Sequence, residues 1–279
     1  MYARTIIYKI YAVILLVGAI LGTVSSLSFA LFSFGDLFAF LPSSITTIIN
    51  VLKFISVIIA LLSFFFTYVE FSSMFALCDM IDYEKSNSTQ PMIKRGFIFS
   101  GKVYRTFGTV IFSISFLVTV IACLVIIISS SVEHSTFICV PLIPILVYVF
   151  PLIFTYICYY VKFKSIGDLL DLTTANTVTS VNIMALKENK PSLLRGYCTF
   201  LYVLDIIQVI AFIILMFIVF GTICDAVGTG YALVVVVILS VVEIINFISI
   251  GIVGCFFDNI AKMVEHYQIK YKVLGKEEK

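Results

Sequence analysis

Three pairs of polar residues sit three apart inside long apolar stretches: Asn50 with Lys53, Asp205 with Gln208, and Glu243 with Asn246. Spacing of three puts both members of a pair on one face of a helix. An ionisable side chain at the centre of a membrane span costs roughly 2.5 to 3.5 kcal/mol on insertion scales, so such residues turn toward protein or water and mark candidate sites. Two acids against one lysine leave a surplus negative charge. Burial removes that surplus either by keeping a proton on one carboxyl or by admitting a cation. Asp205, Gln208, Glu243, Asn246, Lys53 and Asn50 are therefore the candidate ion or proton pathway. The competing role for the same groups is helix-to-helix hydrogen bonding, worth about 0.6 kcal/mol each.

That chemistry requires helices that cross a bilayer. The chain has 279 residues, 61% hydrophobic and 12% charged, against roughly 25% charged in a soluble domain. Apolar stretches run at about 6 to 33, 45 to 71, 103 to 130, 138 to 161, 198 to 223 and 231 to 257. Each exceeds the roughly 20 residues a spanning helix needs. None alternates as a barrel strand would, and a backbone in lipid must satisfy its own hydrogen bonds. The expected fold is all-α: a polytopic transmembrane helical bundle of six spans in one membrane domain, 1–279. Arg4, Lys9 and Ser28-Phe29-Ala30 imitate a signal peptide and its cleavage site. The apolar run between them is longer than the roughly 7 to 15 residues of a signal core and is read as the first span.

The basic residues orient the spans. Of eighteen, only Lys53 lies outside four groups: Arg4 and Lys9; Lys85 to Arg105; Lys162 to Arg195; and Lys262 to Lys279. Retention of cationic segments in the cytoplasm then places both ends inside, with the plasma membrane as the expected location. Tyr8, Tyr11, Tyr68, Tyr104, Tyr159, Tyr160, Tyr197 and Tyr202 form an interfacial belt on that side. Counting about 1.5 Å per residue inward from Phe220 and Tyr231 puts Gln208 and Glu243 at about 18 Å, and Asp205 and Asn246 at about 22 Å. Spans five and six are antiparallel neighbours, so Gln208 is expected opposite Glu243 and Asp205 opposite Asn246. Lys53 lies about a turn nearer the outside, where its stem reaches toward Glu243 or snorkels to the surface.

Overlaid on itself at about 93 residues, the chain presents related landmarks three times. Tyr8-Lys9, Tyr104-Arg105 and Tyr197 open the odd spans, and Asp36, Glu133 and Asp225 follow them. Each even span runs on into a polar helical tail: YVEFSSMFALCD from Tyr68, YVKFKSIGDLLD from Tyr160 and GCFFDNIAKMVE from Gly254. Three tandem two-helix repeats, about 1–92, 93–186 and 187–279, imply pseudo-threefold symmetry about the membrane normal. Mitochondrial carriers share the two-helix, three-repeat plan. Their proline–acid–base signature is missing after Asp36, Glu133 and Asp225, and membership is not inferred.

Other features are read in the same way. Pro151 removes a hydrogen bond inside span four and is expected to kink it. Gly18, Gly22 and Ser26 form a small-residue stripe on span one that suits close helix approach. Asp36, Glu133 and Asp225 ring an outer mouth if the symmetry holds, or are solvated loop acids. Cys139 and Cys224 are the two thiols placed for an outer disulfide. No metal site, phosphate loop or nucleophile motif occurs, so no cofactor is expected and an enzyme is not the favoured class. A pI near 8.1 leaves no nucleic-acid footprint. Expected partners are membrane lipid and another membrane protein or a second copy. The functional expectation is a small transport component handling a cation, proton or small solute through the mid-membrane cluster. The alternative is a non-transporting accessory or scaffold subunit.

Overall fold

A computed structural model of the chain describes residues 5–31, 43–86, 92, 100–133, 139–174 and 180–271. Within the helices, the side chains of 29–31, 43–53, 56, 122–133, 139–152, 174, 180, 215, 218–219, 222–227 and 231 lie outside the description. The described residues are all-α, in seven helices: α1 (Thr5–Leu31), α2 (Ser43–Ser86), α3 (Gly101–Glu133), α4 (Cys139–Thr174), α5 (Ser180–Lys187), α6 (Pro191–Val227) and α7 (Thr229–Lys270). Five stretches are long and apolar enough to cross a membrane: Thr5–Ser28, Val57–Ser86, Gly101–Ile121, Pro191–Ile214 and Ala232–Lys270. The chain is a multi-pass membrane protein by this hydropathy. Residues 139–161 of the sixth expected span lie in α4, whose side chains to residue 152 lie outside the description.

The helices outrun the bilayer. At 1.5 Å per residue the 44 residues of α2 extend about 66 Å, more than twice the roughly 30 Å of hydrocarbon. The tails read from sequence are continuous with their spans: α2 reaches Ser86, α4 reaches Thr174 and α7 reaches Lys270. The helix of α4 also runs unbroken through residue 151, while the Pro151 side chain lies outside the described residues. Eight-residue α5 lies in the connection before α6, too short to be resolved as an apolar run.

The residues fall into two compact units, one within Arg4–Leu186 and one within Lys187–Lys279. In the first, α1 packs along α2 and α3 along α4, with α2 also touching α3 and α4. In the second, α6 packs along α7. Each pair is antiparallel, since contact partners rise in number on one helix as they fall on the other. Thr5 and Thr23 of α1 meet Asp82 and Ala60 of α2. Arg105 and Ser113 of α3 meet Asp168 and Tyr156 of α4. Arg195 and Gln208 of α6 meet Glu265 and Glu243 of α7. Gly228 alone separates α6 from α7, with φ of 95°, a conformation that a side chain would strain.

The end of each hairpin that carries its lysines and arginines, here its basic end, is where burial concentrates. Met74, Leu77, Met80 and Ile81 of α2, Phe163, Ile166 and Leu169 of α4, and Phe257, Ile260, Met263 and Val264 of α7 are buried. The most apolar window of α7, by contrast, is 0% buried, as hydrocarbon-facing residues are. Close approach occurs between α3 and α4: a Cβ on Gly108 would lie 2.7 Å from the Phe163 ring, and Gly101 and Gly167 face each other's backbone. The stripe on α1 behaves otherwise, with nothing within 4 Å of a Cβ at Gly18 or Gly22.

Each basic end is clamped by ion pairs between the start of one helix and the tail of the next. Lys9 Nζ lies 3.1 Å from Asp82 and 3.7 Å from Asp79. Arg105 pairs with Asp168 and, at 2.9 Å, with Asp171. Arg195 lies 2.5 Å from Glu265 and 3.8 Å from Asp258, and Lys262 lies 2.5 Å from Asp258. Tyr8, Tyr104 and Tyr197 are buried beside these clamps.

A further ion pair joins α2 to α4. Lys162, which by sequence falls among the connecting cations, is 0% exposed and bonds Glu70. Its ammonium also lies 4.1 Å from the Tyr159 ring centre and 4.6 Å from that of Phe163. Phe112 of α3 stacks on Tyr159 at 4.8 Å and on Phe66 of α2 at 5.4 Å, closing an aromatic layer across three helices.

Removing one partner of a buried pair leaves an uncompensated charge at a cost of about 3–5 kcal/mol. Lys162→Met is therefore expected to lower the midpoint of thermal unfolding in detergent, and adding Glu70→Gln should recover most of the loss. Gly108→Val, forced against Phe163, should destabilise by about 1–3 kcal/mol. Gly18→Val, into open space, should stay within about 0.5 kcal/mol. Equal losses for the two glycine variants would contradict this packing.

Candidate functional site

Pro191 opens α6 at a position where its missing N–H costs nothing. The helix then presents Arg195, Cys198, Tyr202, Asp205 and Gln208 at steps of three and four, which keeps them on one face. On α7, Glu243 and Asn246 are three apart, and Cys255, Asp258, Lys262 and Glu265 follow one another at steps of three and four. Antiparallel packing brings several of these groups together along the α6–α7 seam.

From the basic end inward, the clamp of Arg195 on Asp258 and Glu265 comes first. Next, the Tyr202 hydroxyl lies 3.2 Å from Cys255 Sγ. A Cβ on Gly254 would sit 3.1 Å from the Tyr202 ring, so glycine there lets the phenol lie across the seam. One turn further, Asp205 is buried, and its Oδ1 has no hydrogen-bond partner. One turn beyond, Gln208 Nε2 donates to Glu243 Oε2 at 3.4 Å, a long and weak bond by ordinary geometry. Glu243 Oε1 is buried without a partner. Asn246 is half-buried on the same side of α7, one turn toward the basic end.

The charge balance of this seam is distinctive. Between Arg195 and Lys262 the sequence contains no Lys, Arg or His. Asp205 and Glu243 thus have no counter-charge in the part of the hairpin beyond the Arg195 and Lys262 clamp, and each keeps an orphaned oxygen. Ionised carboxylates only accept hydrogen bonds, so the arrangement calls for a donor or a cation.

The other candidates drawn from the sequence are distributed differently. The side chains of Asn50 and Lys53 on α2 and of Glu133 and Asp225 at the ends of α3 and α6 lie outside the described residues, as do Asp36 entirely and the thiols of Cys139 and Cys224. Among the described residues no group of three or more His, Cys, Asp or Glu gathers to hold a metal ion. An apolar groove of about 310 Å³ between α2, α3 and α4, lined by Ile59, Leu62, Phe66 and Phe116 among others, offers only hydroxyls as polar groups.

Two features are invisible to a reading of the sequence. Tyr202 reads as a belt residue because nothing local couples it to Cys255, 53 positions away. Glu70 carries no spacing partner on its own helix, and its partner Lys162 lies 92 positions away. Comparison with protein-family models, curated proteins and solved structures finds no match to the chain, so the reading of the seam rests on its own chemistry.

Proposed function

We propose that the chain is a small transport component whose α6–α7 seam handles a proton or small cation. The observation that carries this reading is that the buried, unpartnered Asp205 and the orphaned oxygen of Glu243 lie in the stretch of the hairpin between Arg195 and Lys262, which holds no cation. A purely structural seam would gain from apolar residues at those positions, because unpaired acids in hydrocarbon are costly. The polar groups descend from the basic end to mid-membrane through Tyr202 and Cys255, which gives the acids an approach from that side.

In the same reading the basic ends face the cytoplasm, six spans cross the membrane, and both termini lie inside. The three hairpins are tandem repeats about a pseudo-threefold axis. Their clamps, each a cation early in one helix holding acids on the next tail, support this, as does a unit boundary at 186/187. Asp36, Glu133 and Asp225 then belong to the outer face. Lipid surrounds the spans, and another membrane protein or a second copy is the expected partner.

One observation favours the accessory reading. Beyond Gln208, residues 209–221 of α6 contain no polar side chain, and residues 231–242 of α7 contain only Tyr231 and Ser240. Along this hairpin no polar path continues to the far end, which suits a scaffold subunit.

Glu243→Gln and Asp205→Asn are expected to insert and purify like the parent while reducing pH-dependent ion flux in proteoliposomes to that of empty vesicles. Flux equal to the parent in both variants would remove the seam from transport and favour the accessory role. A reporter at the Glu133 connection should read out on the face opposite the C-terminal tail; the same face for both would overturn the topology.

A further inference from the structure

We propose that the groove between α2, α3 and α4 binds an uncharged lipid alcohol, a membrane-dissolved molecule whose hydroxyl meets the free hydroxyls of Ser63 and Ser115 while its hydrocarbon lies against the apolar walls. The site is separate from the α6–α7 seam and does not depend on the transport reading.

The groove lies at the level of the spans. Its α2 and α3 walls fall within the candidate spans Val57–Ser86 and Gly101–Ile121. Its volume of about 310 Å³ is at the lower end of the roughly 300–1,000 Å³ of small-molecule sites. Phe66 and Phe112, stacked at 5.4 Å, form the wall nearest the basic end. On the rim, Ile59 and Val118 are exposed, so the groove opens sideways. At this level the surroundings are hydrocarbon, and what enters comes from the bilayer.

The lining selects within that medium. Among its described residues none is charged, and Glu70, one turn beyond Phe66, is already engaged by Lys162. An ionic headgroup in the groove would therefore lie desolvated and unpaired, which is costly. An uncharged molecule has no such penalty.

Two hydroxyls supply the polar contact. In apolar helices a serine or threonine hydroxyl commonly closes on the carbonyl four residues back, and Thr23, Ser28, Thr67, Thr119 and Ser249 do so here. Ser63 and Ser115 depart from this habit. Their carbonyls accept from Thr67 and Thr119, yet among the described residues their own hydroxyls have no partner. Both line the groove, whereas Ser113, which does not, is engaged with Tyr156 at 2.9 Å. A free serine hydroxyl offers one donor and an acceptor. A ligand hydroxyl matches both, while an ether or an ester carbonyl matches only the donor.

The test is photolabelling of the full-length protein in phosphatidylcholine nanodiscs that carry a diazirine-bearing sterol, diacylglycerol or polyprenol, each alone, or diazirine-bearing phosphatidylcholine. At least one alcohol is expected to label the segments 59–66 and 112–119 saturably, and its unlabelled form should compete about tenfold better than its methyl ether. Labelling by phosphatidylcholine should spread along the exposed helix faces without saturating. Changing Ser63→Ala and Ser115→Ala together should weaken the saturable labelling about tenfold. Leu117→Ala, at an exposed position of α3 outside the groove, should leave it unchanged. Saturable labelling by none of the three alcohols would overturn the proposal. So would equal competition by the ether, parent-like labelling of the double alanine variant, or saturable labelling of the same segments by phosphatidylcholine. The competition experiment uses the unmodified chain, so its outcome does not depend on how the variants fold.

Discussion

Hydrocarbon offers no hydrogen bonds and little solvation for charge, and the arrangement of this chain follows from that. Backbone polar groups are closed within helices long enough to cross the bilayer and, in α2 and α7, to run well past it. Among the described side chains the cations sit at one end of each hairpin, where an acid on one helix can meet a cation on the next. Exposed ion pairs of this kind contribute little by themselves. Their effect is to set the register of antiparallel neighbours whose membrane surfaces, apolar on every side, specify register poorly.

The same constraint explains why tertiary packing gathers at the basic ends. Apolar side chains gain nothing by leaving lipid for protein, so Ile10, Ile210 and Val241 can remain exposed. Where the helices emerge, Leu77, Leu169 and Met263 must leave water, and there the hydrophobic effect packs them. The Glu70–Lys162 pair and its aromatic layer sit at this transition. Lys162 is removed from solvent completely and is held by a carboxylate and two rings. Such a pair favours specificity of helix arrangement over net stability.

The acids of the α6–α7 seam are an exception to this pattern. The described ion pairs lie at or near the basic ends, whereas Asp205 and Glu243 lie in the apolar part of their helices, in the stretch between Arg195 and Lys262 that holds no cation. Unpaired acids are costly in hydrocarbon, and their presence in this seam is what sets it apart from the other two hairpins.

Much of this is legible in the residues alone. Helix type, the presence of several helices long and apolar enough to span a membrane, the helical tails and the opposition of Gln208 and Glu243 follow from local rules: periodicity, run length and a fixed rise per residue. Other features depend on which helix faces which, and identical apolar surfaces carry no such label. Only the tertiary structure could show that Lys162 turns inward to Glu70, that close approach falls at Gly108 and Gly167 rather than at the stripe on α1, and that Tyr202 meets Cys255. These are contacts between residues distant in sequence, set by rotation of each helix about its own axis, which a one-dimensional pattern of apolar residues leaves undetermined.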